Sequence, residues 1–133
     1  TLQAREQHIR RQKATSNICS NESLMAIFVT IYMSVMGKEG LKEAAQMSYD
    51  GAHYLHDQLI DTGKFEDKYP QGFFNEFCVS YKGNVDSLQK RFIENGILGG
   101  IKIDDNTLMF AVTEKRTKQE IDQLVNIVKE ETL

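Results

Sequence analysis

The chain has 133 residues, 41% of them hydrophobic and 26% charged, with a formal net charge of -3. This suits one soluble globular domain, and it excludes a multidomain machine, a disordered chain and a collagen-like one. The slight negative charge supplies no overall field to hold nucleic acid or an anionic membrane, and two cysteines, Cys19 and Cys78, are too few for a disulfide framework, so a reducing, cytoplasmic setting is expected.

The chain opens TLQAREQHIRRQ, with no initiator Met, no signal-peptide apolar core and no helix-starting signal, and reads as a piece cut from something longer. Residues 1–20 are read as a basic connector, in which Arg5, Arg10, Arg11 and Lys13 stand against Glu6 over the first thirteen positions. Four cations without interleaved aromatics fit a solvated segment better than a nucleic-acid contact. Thr15, Ser16 and Asn17 follow. Their short polar side chains suit caps and turns, or, beside Arg10 and Arg11, the edge of an anion-binding or substrate pocket.

Residues 21–63 are read as connecting helices. Ser20 or Asn21 can cap the first by accepting from its unpaired N–H groups. From Leu24 to Met36 eleven of thirteen residues are apolar, on two stripes, and a helix apolar all round must be covered all round. A run of this length falls short of the roughly 20 residues of a membrane span, so a buried helix is expected. Gly37 and Gly40 break the pattern. It resumes with Leu41, Ala44, Ala45, Ala52, Leu55 and Leu59 on one stripe, and Gly63 suits a left-handed cap.

Residues 64–133 change period and are read as a small α+β domain. Pro70 and Gly72 end a polar loop, after which Phe77, Val79 and Tyr81 alternate with polar positions, as in a half-buried strand. Val85, Leu88 and Phe92 fall at helical spacing, closed by Asn95 and Gly96. Ile97–Ile103 and Leu108–Val112 look like strands joined at Asp104, Asp105 and Asn106. Thr117 to Glu120 form a capping box before a helix with Ile121, Leu124, Val125 and Val128 on one face. The expectation is a sheet of about three strands with helices on one face.

Three patterns invite a chemical reading. His53, His56 and Asp57 lie at i, i+3 and i+4, a spacing that brings metal-ligating atoms together, yet no further Cys or His completes a shell and a plain polar helix face accounts for them. Gly96, Gly99 and Gly100 follow a helix and lack the P-loop lysine and hydroxyl, which favours a cap and a strand start over a phosphate cradle. Cys19 has no histidine near it in any local pattern, and a small buried thiol is the simpler reading.

At REQHIRRQKATSNICSN, residues 5–21, the chain resembles the glycine cleavage system P-protein family, in the form of its subunit 1 or N-terminal half. Leu24 and Met25, KEGLKEAA at 38–45, AHYL at 52–55 and LMFAVTEKRTKQEIDQLV at 108–125 extend the likeness over essentially the whole chain. The family usually has Glu at the position of Gln12 and Thr at that of Ser20. The resemblance implies the C-terminal part of a fold-type-I, aminotransferase-like subunit: a small α+β domain with its connecting helices, whose missing large domain would cover the apolar helix. It implies that the complete enzyme, a glycine dehydrogenase (decarboxylating), uses pyridoxal phosphate to decarboxylate glycine and passes the aminomethyl group to the lipoylated H-protein.

By the same resemblance the Schiff-base lysine belongs to subunit 2, so Lys13 is not given that role. The fragment would then hold no cofactor, no metal and no catalytic residue, and would serve structure and interaction. Its partners would be subunit 2, the H-protein and its own large domain, with Arg10, Arg11, Thr15, Ser16 and Asn17 at the rim of an inter-subunit active site. Two other readings remain at this point. One is the small domain of another fold-type-I enzyme, an aminotransferase or cysteine desulfurase, which needs a carboxylate-binding arginine; after residue 20 only Arg91 and Arg116 are available. The other is a stand-alone ligand-binding or regulatory module.

Overall fold

The computed structural model describes residues 22–132, together with Gln12. The chain divides into two compact units, 1–39 and 40–133. The expected caps Ser20 and Asn21 lie outside the described residues.

Helix α1 runs from Glu22 to Asp61 and is interrupted at Gly37, whose φ of 63° and ψ of -177° are not helical. A side chain at such a φ would be strained, so the glycine marks the place where the helix breaks in two. In the first unit Thr30 Oγ1 donates to the Ala26 carbonyl and Ser34 Oγ to the Thr30 carbonyl, each at 2.7 Å, so the two polar side chains of this segment are satisfied within their own helix. Its apolar side chains are turned to the outside. Leu24 is 69% exposed and Val35 78%, and Ile27, Phe28 and Ile31 are exposed as well.

By length and composition α1 is apolar enough to cross a bilayer. The apolar run itself ends at Met36, one residue before the break at Gly37. The straight part of α1 before Gly37, residues 22–36, is about 22 Å long at 1.5 Å per residue, against a hydrocarbon thickness of about 30 Å.

In the second unit the latter half of α1 is built into a core. Ser48, Ala52, Leu55 and Leu59 are buried, whereas Leu41 and Ala45, expected on the same stripe, are exposed. The small domain expected to begin at residue 64 therefore shares its core with helix residues from further upstream. Gly51 allows the close approach: a Cβ there would meet Val112 Cγ1 at 3.0 Å. The helix ends as expected at Gly63, whose φ is 71° and whose N–H donates to the Ile60 carbonyl at 2.9 Å.

Four strands follow instead of about three. They are β1 (Phe65–Asp67), β2 (Glu76–Tyr81), β3 (Ile101–Lys102) and β4 (Thr107–Ala111), with α2 (Val85–Glu94) and α3 (Lys118–Glu130) between and after them. The sheet is antiparallel in the order β1-β2-β4-β3, with Phe65 opposite Tyr81, Phe77 opposite Phe110 and Val79 opposite Leu108. Strand β1 escapes the sequence reading because three residues cannot display a period of two. The stretch 97–103, expected as strand throughout, is strand at Ile101 and Lys102, and the Ile103 N–H donates to the Thr107 carbonyl at 2.9 Å.

One face of the sheet, with Phe65, Phe77, Val79, Tyr81, Leu108 and Phe110, meets Leu88 and Phe92 of α2 and Ile121, Leu124, Val125 and Val128 of α3 in a single core. Asn84 caps α2, its side chain accepting from the Ser87 N–H. The capping box of α3 is formed in both directions between Thr117 and Glu120.

Candidate functional site

The proposed rim residues Arg10, Arg11, Thr15, Ser16 and Asn17, together with Lys13 and Cys19, lie outside the described residues. What the structure does build is a set of polar clusters and two clefts in residues 40–133.

His53 and His56 are half-buried, which corrects the expectation of a solvated face. The His53 ring stacks on Phe73, with centroids 4.2 Å apart and planes 8° from parallel, and its Nε2 lies 3.2 Å from the Phe73 carbonyl. His56 turns Nε2 to Asp67 Oδ1 at 2.6 Å and Nδ1 to Asp57 Oδ1 at 3.1 Å. Burial pulls its pKa down, but hydrogen bonds from Asp67 and Asp57 outweigh this and raise it above the ordinary histidine value of 6.5. Both ring nitrogens are thus committed to carboxylates, and among the described residues no group of His, Cys, Asp and Glu is arranged to hold a metal.

Sequence spacing alone did not reveal two other clusters. Tyr54 donates to Asp122 Oδ1 at 2.6 Å, while Lys118 donates to the Tyr54 hydroxyl and to Asp122 Oδ2, each at 2.7 Å. These bonds hold the Lys118 ammonium above and the Asp122 carboxyl below their ordinary values. Lys118 and Asp122 stand at i and i+4 on α3, while Tyr54 comes from α1. Lys64 donates to the carbonyls of Val128 (2.8 Å) and Lys129 (2.9 Å) and to that of Glu131, placing a cation at the C-terminal end of α3.

The larger cleft, of about 430 Å³, lies beside the 95–100 turn and α3, with Leu55, Ile97, Phe110, Ile121 and Leu124 inside and Arg116 among its polar residues. Gly96 closes α2 with φ 74°. A Cβ at Gly99 would stand 2.3 Å from the Phe92 ring, so this glycine serves packing, and no phosphate cradle forms. Leu98 between them is 92% exposed. The smaller cleft, of about 340 Å³, lies between the 69–73 segment and the outer face of the sheet, at Cys78 and Met109.

Arg116 pairs with Glu120 at 3.4 Å, and Arg91 with Glu131 at 2.6 Å. Both guanidinium groups are therefore engaged by carboxylates of the chain itself, which argues against either as a substrate clamp. Pyridoxal phosphate needs a lysine for its aldehyde and a cradle for its phosphate. No lysine lines either cleft, and Lys64, Lys102 and Lys118 are turned to carbonyls, a hydroxyl or carboxylates. The described residues do not fit the cofactor.

An antiparallel sheet with helices on one face, preceded by a long broken helix, is the small α+β domain of fold-type-I, aminotransferase-like enzymes. The same fold occurs in a NifS-like protein, with a TM-score of 0.59 at 20% identity over 69% of this chain and 29% of that one.

A sequence model of the glycine cleavage system P-protein matches residues 1–128, and the chain belongs to that family. It is 48% identical over 96% of its length to the probable glycine dehydrogenase (decarboxylating) subunit 1 of Carboxydothermus hydrogenoformans, of which it covers 30%. The corresponding protein of Geobacillus sp. (strain WCH70) is 47% identical over 94% of this chain, which covers 29% of it. A crystal structure of glycine decarboxylase (P-protein) in inhibitor-bound form superposes with a TM-score of 0.79 at 36% identity, covering 98% of this chain and 31% of that one. The chain thus spans about three-tenths of the length of these relatives.

Proposed function

We propose that the chain is the small-domain part of subunit 1 of a glycine decarboxylase. In the complete protein, glycine would be decarboxylated with pyridoxal phosphate and the aminomethyl group passed to the lipoylated H-protein. The observation that supports this most is the near-complete match of the chain to P-protein relatives in both sequence and fold. In the complete protein, bound pyridoxal phosphate would supply an electron sink for the decarboxylation. In this reading, which rests on the family resemblance, its Schiff-base lysine comes from subunit 2.

The chain's own contribution is structural. Residues 40–132 contain a packed core, while the exposed side chains of Leu24, Ile27, Phe28 and Ile31 supply apolar surface for the larger remainder of the subunit or for subunit 2. Arg10, Arg11, Thr15, Ser16 and Asn17 stand at the rim of the inter-subunit site. The setting is cytoplasmic, a reading that the low cysteine content supports.

The test is glycine-dependent release of carbon dioxide by the full-length protein with subunit 2 and lipoylated H-protein. Deleting the segment that corresponds to residues 22–133 should abolish assembly and turnover; full turnover without it would overturn the proposal. Pyridoxal phosphate titrated into the isolated chain should produce no spectrum of bound cofactor, and such a spectrum would contradict the assignment of the lysine to subunit 2.

A further inference from the structure

Asn95 ends α2 and is the one asparagine of the sequence that precedes a glycine. The two residues form a Schellman turn, in which the Gly96 N–H donates to the Ile93 carbonyl at 2.9 Å and the Ile97 N–H to the Phe92 carbonyl at 2.8 Å. Asn95 Nδ2 donates back to the Arg91 carbonyl at 2.9 Å. An asparagine followed by glycine also carries its own reaction partners: an amide carbon, Cγ, and a main-chain nitrogen that no side chain screens.

In the intact turn the bonds to the Arg91 and Ile93 carbonyls hold these partners apart, so the reaction starts from a frayed turn. Ile93, Glu94, Asn95 and Gly96 are all exposed, and fraying there uncovers no core residue. The position that a Cβ of Gly96 would take has nothing within 4 Å, which leaves room for a ring. The pair Asp50 and Gly51 is the contrasting case: it lies inside α1, where a Cβ at Gly51 would meet Val112 at 3.0 Å. The other described asparagines precede Glu76, Val85, Thr107 and Ile127, whose side chains crowd the nitrogen.

We propose that Asn95 is a site of spontaneous deamidation, which converts it to aspartate or isoaspartate and loosens the C-terminal turn of α2. The Gly96 nitrogen bonds to Asn95 Cγ, the Cγ–Nδ2 bond breaks, and ammonia leaves with the proton that the nitrogen gave up. Water then opens the five-membered imide. Cleavage between the nitrogen and Cγ gives aspartate; cleavage between the nitrogen and the main-chain carbonyl carbon of residue 95 gives isoaspartate, with the chain running through Cγ. Nothing is oxidised or reduced.

Either product weakens the turn. A carboxylate cannot donate to the Arg91 carbonyl, and it sets a negative charge at the negative end of the helix, next to Glu94. Isoaspartate also adds a methylene to the main chain between the Phe92 and Ile93 carbonyls and the N–H groups of Gly96 and Ile97 that bond to them, so their register is lost. Asn95, Gly96, Ile97 and Leu98 line the larger cleft, and this wall is therefore the part that changes as the molecule ages.

The experiment holds the folded full-length protein for weeks at mildly alkaline pH and digests it with trypsin beside a fresh sample. Cleavage after Arg91 and Lys102 releases peptide 92–102, in which Asn95 has the only side-chain amide. Its mass should rise by the difference between amide and acid, faster at higher pH because the attacking nitrogen must lose its proton, and an isoaspartyl methyltransferase should label it. Peptides holding Asn75, Asn84, Asn106 and Asn126 should keep their mass, and Asn95→Gln should abolish the conversion. Amide exchange at Gly96 and Ile97 should quicken several-fold in the aged protein, while the amides of Leu124–Val128 stay protected. A peptide 92–102 that keeps its amide in the folded protein, converting only in urea or not at all, would overturn the proposal, and so would unchanged exchange at Gly96 and Ile97 in the isoaspartate form.

Discussion

Residues 22–39 and residues 40–133 both carry abundant large apolar side chains, and they dispose of them in opposite ways. In the second region Phe65, Leu88, Phe92 and Val128 are wholly withdrawn from water, with β1, β2, β4 and the helices contributing one face each. In the first, nearly every large apolar side chain from Leu24 to Val35 is exposed. The difference lies in pattern. A helix with one apolar stripe can be satisfied by a single layer beneath it, whereas a helix with two needs neighbours on several sides. Hydrophobicity alone therefore does not say where a core will be; periodicity matched to available partners does.

Substitutions should separate the two regions. Phe92→Ala removes a fully buried ring that also rests on Gly99, and should cost about 3–5 kcal/mol, read as a fall in the denaturant midpoint. Lys64→Met keeps much of the stem and deletes the cation that binds three carbonyls of the last turn. A loss of about 1.5–3 kcal/mol is expected, with faster exchange at the end of α3. Thr117→Ala breaks the capping box and should cost about 0.5–2 kcal/mol by the same melt. Ile31→Ser should change the stability of residues 40–133 by less than about 0.5 kcal/mol and raise the solubility of the isolated chain. A large stability loss there would break the contrast.

Stability should also vary with pH. Because His56 has its pKa raised by folding, its stabilisation is complete below the ordinary value of 6.5 and fades as pH rises through the raised value. The urea midpoint should therefore decline as pH rises from 6.5 through that raised value, and the decline should shrink in Asp67→Asn, which removes one of the two carboxylate partners.

Much of the fold was legible in the sequence because its signals are local. The capping box at Thr117, the alternation of Phe77, Val79 and Tyr81, and the breaks at Gly37, Gly63 and Gly96 each depend on a few adjacent residues. Strand β1 was not legible, since its assignment rests on pairing with β2 across a loop. The polar clusters were hidden for the same reason. Tyr54 meets Asp122 from 68 residues away, and His56 meets Asp67 from 11. The histidine pair looked solvent-facing because nothing in the helix announces that Phe73 will fold back over it. Family membership was legible from the motifs at 5–21 and 108–125, while the rim role proposed for Arg10, Arg11, Thr15, Ser16 and Asn17 rests on the resemblance alone.

The ammonium of Lys64 reaches carbonyls 64 to 67 positions further along the chain. It acts as a non-covalent cross-link closing a ring that encloses the entire sheet and both following helices. Closing so long a ring costs only logarithmically more entropy than closing a short one, so a single side chain at the first strand can secure the last helix. A proteolytic cut placed just before Val128, which separates all three carbonyls from the rest of the chain, would open that ring and should loosen both ends of the domain together.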